Sequence, residues 1–159
     1  MAKRLLQDYG IFEELTSAEQ EKLLALAVER EYPAGAVIFK EGDPAEEFLL
    51  LEEGKVALQM KLPATLSQAQ RKVAVDFVGK DEVLGWSAIV EPHVYTLTAV
   101  TLQRAKVLAI NGSKLRSLME ADHHLGCKLL VALIKVVASR LADTREVLAS
   151  ERLVTITPM

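Results

Sequence analysis

Turn-forming residues recur at short intervals from Pro33 to Gly112, and the apolar segments between them are too short for helices. Residues 37–39 are β-branched and aromatic, and Glu41-Gly42-Asp43-Pro44 closes them with strong turn chemistry. Residues 48–51 read as a short apolar strand, ended by a turn through Glu52-Glu53-Gly54. Segment 56–62 alternates, with Val56, Leu58, Met60 and Leu62 on one face and Ala57, Gln59 and Lys61 on the other. After a polar loop at 63–70, Val73, Val75 and Phe77 alternate again up to Gly79. Residues 95–102 and 106–110 supply the last two strands. Many short strands at this spacing predict a roll, sandwich or barrel rather than a parallel α/β sheet. Residues 84–92 interrupt the pattern and read as a tight turn at Gly85 followed by one helical turn.

Helices flank this region. Thr16 and Glu19 have capping-box spacing, and a helix is expected to run to Arg30 with Leu23, Leu24, Ala27 and Val28 on one face. Pro33 and Gly35 stop it. After residue 110, Asn111-Gly112-Ser113 supplies a turn and an N-cap for a short helix through Leu115, Leu118 and Met119. A long helix follows from about 122 to 150, apolar on almost every side between 129 and 138. One face is free to cover the strands. The other steps by fours and threes through Leu130, Ile134, Val137, Leu141, Thr144 and Leu148, a heptad-like seam suited to a parallel two-helix dimer. The competing reading is a helix packed only in its own core. The expected architecture is one α+β, mainly β domain over 1–159: a helical preamble (1–34), an antiparallel β-roll (35–110) and C-terminal helices (111–150), the last of them a dimerisation helix.

Composition narrows the function. With 19 basic against 22 acidic residues, net charge −3, nothing recommends nucleic acid as a partner. Cys127 is the single cysteine, so no internal disulfide forms, and residues 1–6 are too charged and too short in apolar residues for a signal peptide. The longest apolar run, 129–134, resumes after Lys135 but falls far short of the roughly 20 residues a membrane span needs. A soluble, cytoplasmic protein is expected.

The segment Ile38-Phe39-Lys40-Glu41-Gly42-Asp43-Pro44, followed by Phe48-Leu49-Leu50-Leu51-Glu52-Glu53-Gly54-Lys55-Val56, resembles the opening β-hairpins of cyclic-nucleotide-binding domains. Ile11-Phe12 to Leu15 and the helix after Ser17 look like that family's helical preamble, and the likeness extends into the long helix. The resemblance implies a β-roll pocket that holds a cyclic nucleotide against a short helix beginning near Gly85. In nucleotide-binding members a glutamate after that glycine accepts the ribose hydroxyl, and an arginine about ten residues later pairs with the cyclic phosphate. Here Gly85-Trp86-Ser87-Ala88 and Tyr95-Thr96-Leu97-Thr98 stand at the matching positions, with Trp86 in place of the glutamate and Tyr95 in place of the arginine.

Losing two hydrogen bonds to charged groups costs about 3–6 kcal/mol, roughly a hundred-fold to ten-thousand-fold in affinity. Cyclic AMP and cyclic GMP are therefore not the expected ligands. Arg71, Lys72 and Arg104 are the candidates for a replacement cation. Ser87, Thr96 and Thr98 are short polar groups, while Tyr95 and Trp86 offer apolar faces with a polar tip, a set that suits a less charged, planar effector. Alternatively, Trp86 fills the cavity and the domain acts only as a ligand-free dimerisation or adaptor scaffold. Both readings stay open. The resemblance also places Thr144 where a threonine on the long helix reaches the ligand of the neighbouring pocket.

Other chemistry finds little support. His123 and His124 are adjacent on a helix and diverge by about 100°, and His93 sits in a loop, so a metal site on the β-roll is not expected. Cys127, His93 and His123 lack any heme-attachment spacing, and Cys127 reads as a small buried hydrophobe. Ser87 has no nucleophile-elbow context. Arg140 and Arg145 read as solvated residues beside the seam. Residues 151–159 are too few for a helix-turn-helix, so direct DNA binding is not expected. The expectation is a homodimeric regulatory module without enzymatic activity or cofactor, sensing a small effector at Gly85, Trp86, Ser87, Ala88, Tyr95, Thr96, Thr98 and Thr144 and acting on an unidentified protein partner. Its dimer contacts are Leu130, Ile134, Val137, Leu141 and Leu148.

Overall fold

The computed structural model describes residues 10–63 and 71–153. The chain start, most of the loop expected at 63–70 and the tail after residue 153 lie outside the described residues. Among the described residues, eight strands form two antiparallel four-stranded sheets. One holds β1 (Ala27–Tyr32), β8 (Ala105–Asn111), β3 (Glu47–Glu53) and β6 (Val83–Leu84), in that order. The other holds β2 (Val37–Phe39), β7 (Thr98–Thr101), β4 (Val56–Lys61) and β5 (Lys72–Val78). A 3-10 turn at Gly10–Phe12 and α1 (Ser17–Leu24) precede the strands, a 3-10 helix at Trp86–Ile89 interrupts them, and α2 (Gly112–Ala121) and α3 (His123–Leu153) follow. This is the α+β, mainly β roll with a long C-terminal helix that the turn spacing predicts. None of the described helices is long and apolar enough to cross a membrane.

The uninterrupted apolar runs of β3 and β8 have a direct cause: their sheet is covered on both faces. Leu49, Leu51, Val107 and Ala109 point between the sheets, where they meet Val56, Val78 and Leu84. Phe48, Leu50, Leu108 and Ile110 point the other way and pack under Leu23, Leu115, Leu125 and Leu129 of the helices. Burying each such side chain contributes about 1.5–3 kcal/mol, so this double core carries the fold.

The helix expected to reach Arg30 ends at Leu24, and residues 27–32 form a strand instead. Local propensity does not separate the two states here, whereas β8 offers a ladder of six pairs from Ala27↔Ile110 to Tyr32↔Ala105. What remains of the helix has the expected capping box: the Glu19 N–H donates to Thr16 Oγ1 at 3.2 Å and the Thr16 N–H to Glu19 Oε1 at 2.9 Å. Glu19 also accepts from Lys128 Nζ on α3 at 2.8 Å, and Lys22 pairs with Asp122 at 2.8 Å, so two ion pairs clamp α1 to the C-terminal helices.

The hydrogen bond from Lys128, with those at Thr16, holds the Glu19 carboxyl below its ordinary value of 4.5. A carboxyl lowered on folding stabilises the fold above its unfolded pKa, and that contribution is lost as pH falls through the folded value. Glu19→Gln is therefore expected to cost about 1–2 kcal/mol near neutral pH, a difference that shrinks as pH falls through the lowered carboxyl value, measured by urea unfolding of both proteins from neutral to acid pH.

Two strands depart from the sequence pattern. Val73, Val75 and Phe77 do not share a face, because the β4–β5 register shifts between Leu58 and Gln59. Phe77 pairs with Ala57 and Val73 with Met60, which lie on opposite faces of β4. All three side chains are exposed on this edge strand. The strand expected at 95–102 covers only Thr98–Thr101. Tyr95 bonds instead across to the loop after β2, its N–H to Asp43 O at 3.0 Å and its carbonyl from the Gly42 N–H at 2.8 Å. Residues 95–97 are thereby released from the ladder to form a wall.

Candidate ligand site

That wall bounds a cavity of about 450 Å³. Leu58 and Met60 of β4, with Val75 and Asp76 beside the β5 bulge, form its floor. Gly85, Trp86 and Ser87 line one side, and Tyr95, Thr96 and Leu97 another. Val137, Arg140, Leu141 and Thr144 of α3 close it.

The turn at Gly85 is forced by its surroundings. Its φ is +75°, and a Cβ there would lie 2.9 Å from the Glu47 carbonyl oxygen. Gly85 thus lets the chain leave β6 sharply and start the 3-10 helix against β3. Trp86 is half-buried and lines both the cavity and a groove of about 970 Å³ that runs along α3 past Ile89, Met119, Leu130 and Ile134.

The Tyr95 side chain is fixed at both ring and hydroxyl. Its ring stacks on Phe39 with centroids 3.9 Å apart and planes 11° off parallel. Its hydroxyl donates to Glu47 O at 2.8 Å and accepts from the Glu47 N–H at 3.2 Å, so the polar tip is held by β3. Burial pushes the phenol above its ordinary pKa, keeping it neutral.

Two residues expected in the site lie outside the cavity lining. Ala88 is fully buried in the core, with its carbonyl accepting from Arg116. Thr98 is 2 % exposed, and its hydroxyl accepts from the Glu41 N–H at 2.9 Å. Thr144 reaches the cavity, but its hydroxyl donates back to Arg140 O at 2.8 Å. The candidate replacement cations do not line it. Arg104 pairs with Glu31 on the exterior, and Arg71 and Lys72 are exposed at the start of β5.

The cation that does line it is Arg140, expected to be solvated and found with only 13 % of its side chain exposed. It lies over the Trp86 ring, 4.7 Å from the centroid, and donates from an Nη to Val83 O at 2.6 Å. The Asp76 and Glu82 carboxylates stand 3.9 and 3.8 Å away. Desolvation by burial pulls its pKa below the ordinary guanidinium value, against the two carboxylates. The signal in the sequence was helical phase. Leu125, Leu129 and Leu133 face the core at four-residue steps, and Val137 and Arg140 continue the same face.

The remaining polar candidates form no metal centre: the described residues contain no group of three or more His, Cys, Asp or Glu arranged to hold one. His93 Nδ1 lies 3.1 Å from Ser87 O, while His123 and His124 are exposed. Cys127 is exposed too, correcting the expectation that it is buried. It stands seven residues before Ile134, in phase with the seam.

Known proteins agree with this geometry. Residues 29–122 match the family model described as the cyclic nucleotide-binding domain. A cAMP-dependent protein kinase regulatory subunit from Pyricularia oryzae is 29 % identical over 119 residues, 75 % of this chain and 28 % of the relative. A CRP-like cAMP-activated global transcriptional regulator from Mycobacterium tuberculosis is 25 % identical, over 91 % of this chain and 61 % of the regulator. The chain thus spans less than two thirds of either curated relative. Among solved structures, a protein assigned as cyclic-nucleotide-binding from Geobacter metallireducens GS-15 superposes with a TM-score of 0.73 at 30 % identity, covering 86 % of this chain and 95 % of its own. The relatives carry the names of regulators. With the family match extending over more than half of its length, the chain belongs to the cyclic nucleotide-binding domain family.

Proposed function

We propose that this domain is a regulatory sensor whose cavity takes a small effector of changed chemistry, and that it works as a homodimer through α3. The carrying observation is the open cavity beside Trp86. A tryptophan that had filled the old site would leave little space, whereas about 450 Å³ is within the range of small-molecule pockets. The lining favours a ligand other than a cyclic mononucleotide, because neither Trp86 nor Tyr95 offers what the family's glutamate and arginine supply.

The dimer reading is supported by the solvent face of α3. Leu130, Ile134, Leu141 and Leu148 are 47–61 % exposed along the heptad seam, and Val137 joins them at the edge of the cavity. Trp86 connects the two functions, since it lines both the cavity and the groove along that face. An effector that moves its ring changes the surface on which a second α3 would pack, and with it any protein docked on the dimer. A reducing, cytoplasmic setting suits the exposed Cys127 thiol.

Trp86 is the single tryptophan, so its emission reports the site directly. Titrating the chain with cyclic dinucleotides and a panel of planar metabolites should produce, for at least one compound, saturable quenching and a matching rise in melting temperature. A panel that moves neither signal argues for the ligand-free scaffold.

A further inference from the structure

We propose that α3 carries half of a metal site: His123 and Cys127, met by the same two residues of a second copy, enclose a divalent cation of the zinc class. The inference rests on the reading of α3 as a parallel dimer helix. His123 stands four residues before Cys127, and Cys127 three before Leu130, so the pair extends the heptad-like row by one further step of four and three. Both line the groove that runs on past Leu130, Ile134 and Val137, which places them on the face offered to a second α3. Both are exposed in the single chain, so their donor atoms are not locked into its core.

Imidazole and thiolate are the ligands zinc takes in tetrahedral sites, and side chains four apart on a helix reach one ion from one face. The rise between the two positions is about 6 Å, so an ion midway between two facing pairs has room for two nitrogens at about 2.0 Å and two sulfurs at about 2.3 Å. One chain supplies two donors, and among the described residues no group of three or more His, Cys, Asp or Glu could hold a metal, so the site is incomplete without the second copy. Two thiolates balance a divalent charge, which leaves the closed site neutral in a mostly apolar groove. Each thiol gives its proton to solvent as the ion binds.

The test adds cobalt(II) to the whole chain under reducing conditions, followed by absorption and by sedimentation velocity. The expected spectrum has a thiolate-to-cobalt charge-transfer band and the intense visible bands of tetrahedral coordination, saturating at one ion per two chains. Zinc should displace the cobalt and bleach those bands. Self-association should tighten by about ten-fold or more with metal, because the ion binds the dimer and not the single chain. Cys127→Ser and His123→Ala should each lose the spectrum and the tightening while α3 keeps its circular dichroism. His124→Ala should change neither, since that side chain lines a different groove. A wild type that dimerises without metal and shows only the weak spectrum of hydrated cobalt would overturn the metal site and leave the dimer standing. A wild type that stays monomeric with and without cobalt would overturn both. Tetrahedral binding that survives Cys127→Ser would overturn the assignment to these residues.

Discussion

Ile134→Glu combined with Leu148→Glu is expected to turn a dimer into a monomer, weakening self-association by more than about a thousand-fold. Both side chains are exposed, at 61 % and 47 %, so the substitutions remove little packing within the chain. In a two-fold pair each change counts twice. Every seam residue withdrawn from water contributes about 1.5–3 kcal/mol, and burying a glutamate there adds a desolvation cost. Sedimentation velocity at about tens of micromolar separates the species, and unchanged far-UV circular dichroism shows that α3 has kept its helix. Cys127 gives an independent readout of register. In a parallel pair its thiol meets that of the second copy, so the oxidant diamide should link wild-type chains by a disulfide and fail to link the double variant. A wild type that sediments as a monomer at these concentrations would refute the dimer.

The second large effect lies in the core. Phe48→Ala is expected to cost about 3–5 kcal/mol and to lower the melting temperature by about 6–20 °C. Phe48 is fully buried on the helix-facing side of β3, so truncation leaves a cavity beneath the helices that their packing cannot close. Val28→Ala on β1 is the control. At 56 % exposure on an edge strand it should change stability by less than about 0.5 kcal/mol. Equal effects of the two substitutions would mean that the helices do not depend on that face of the sheet.

How much of this was legible in the sequence depended on whether the signal was local. The turns at Gly42, Gly54 and Gly85 all have positive φ, a requirement that glycine states by itself, and the strands between them followed. The exposed apolar row of Leu130, Ile134, Leu141 and Leu148 on α3 was legible because a heptad-like step is a local period. Features that depend on partners distant in sequence were not. Residues 27–32 look helical until β8 is available to pair with them. The bulge that splits Val73 from Phe77 exists only in the β4–β5 register. Two-residue β6 is too short to carry any pattern.

Of the residues expected at the candidate site, Gly85, Trp86, Ser87, Tyr95, Thr96 and Thr144 line the cavity. Arg140 was missed because a lone charge beside an apolar seam normally faces water. Its place on the core-facing side of α3, continuing Leu125, Leu129, Leu133 and Val137, is set by helical phase, but the neighbours that close over it come from segments distant in sequence. Arg140 also sharpens the expectation for nucleotides. By the family resemblance it would offset part of a missing phosphate contact, while Trp86 stands where a ribose-binding glutamate is expected, a contact of about 1.5–3 kcal/mol.

The most direct test of a family fold with altered ligand chemistry is a titration of the chain with cyclic AMP, followed by calorimetry and Trp86 emission together. The expected result is no saturation below about 100 µM in either signal. Saturable binding with a dissociation constant of about 10 µM or tighter would contradict it, and would show that Trp86 and Tyr95 leave the family's nucleotide site intact.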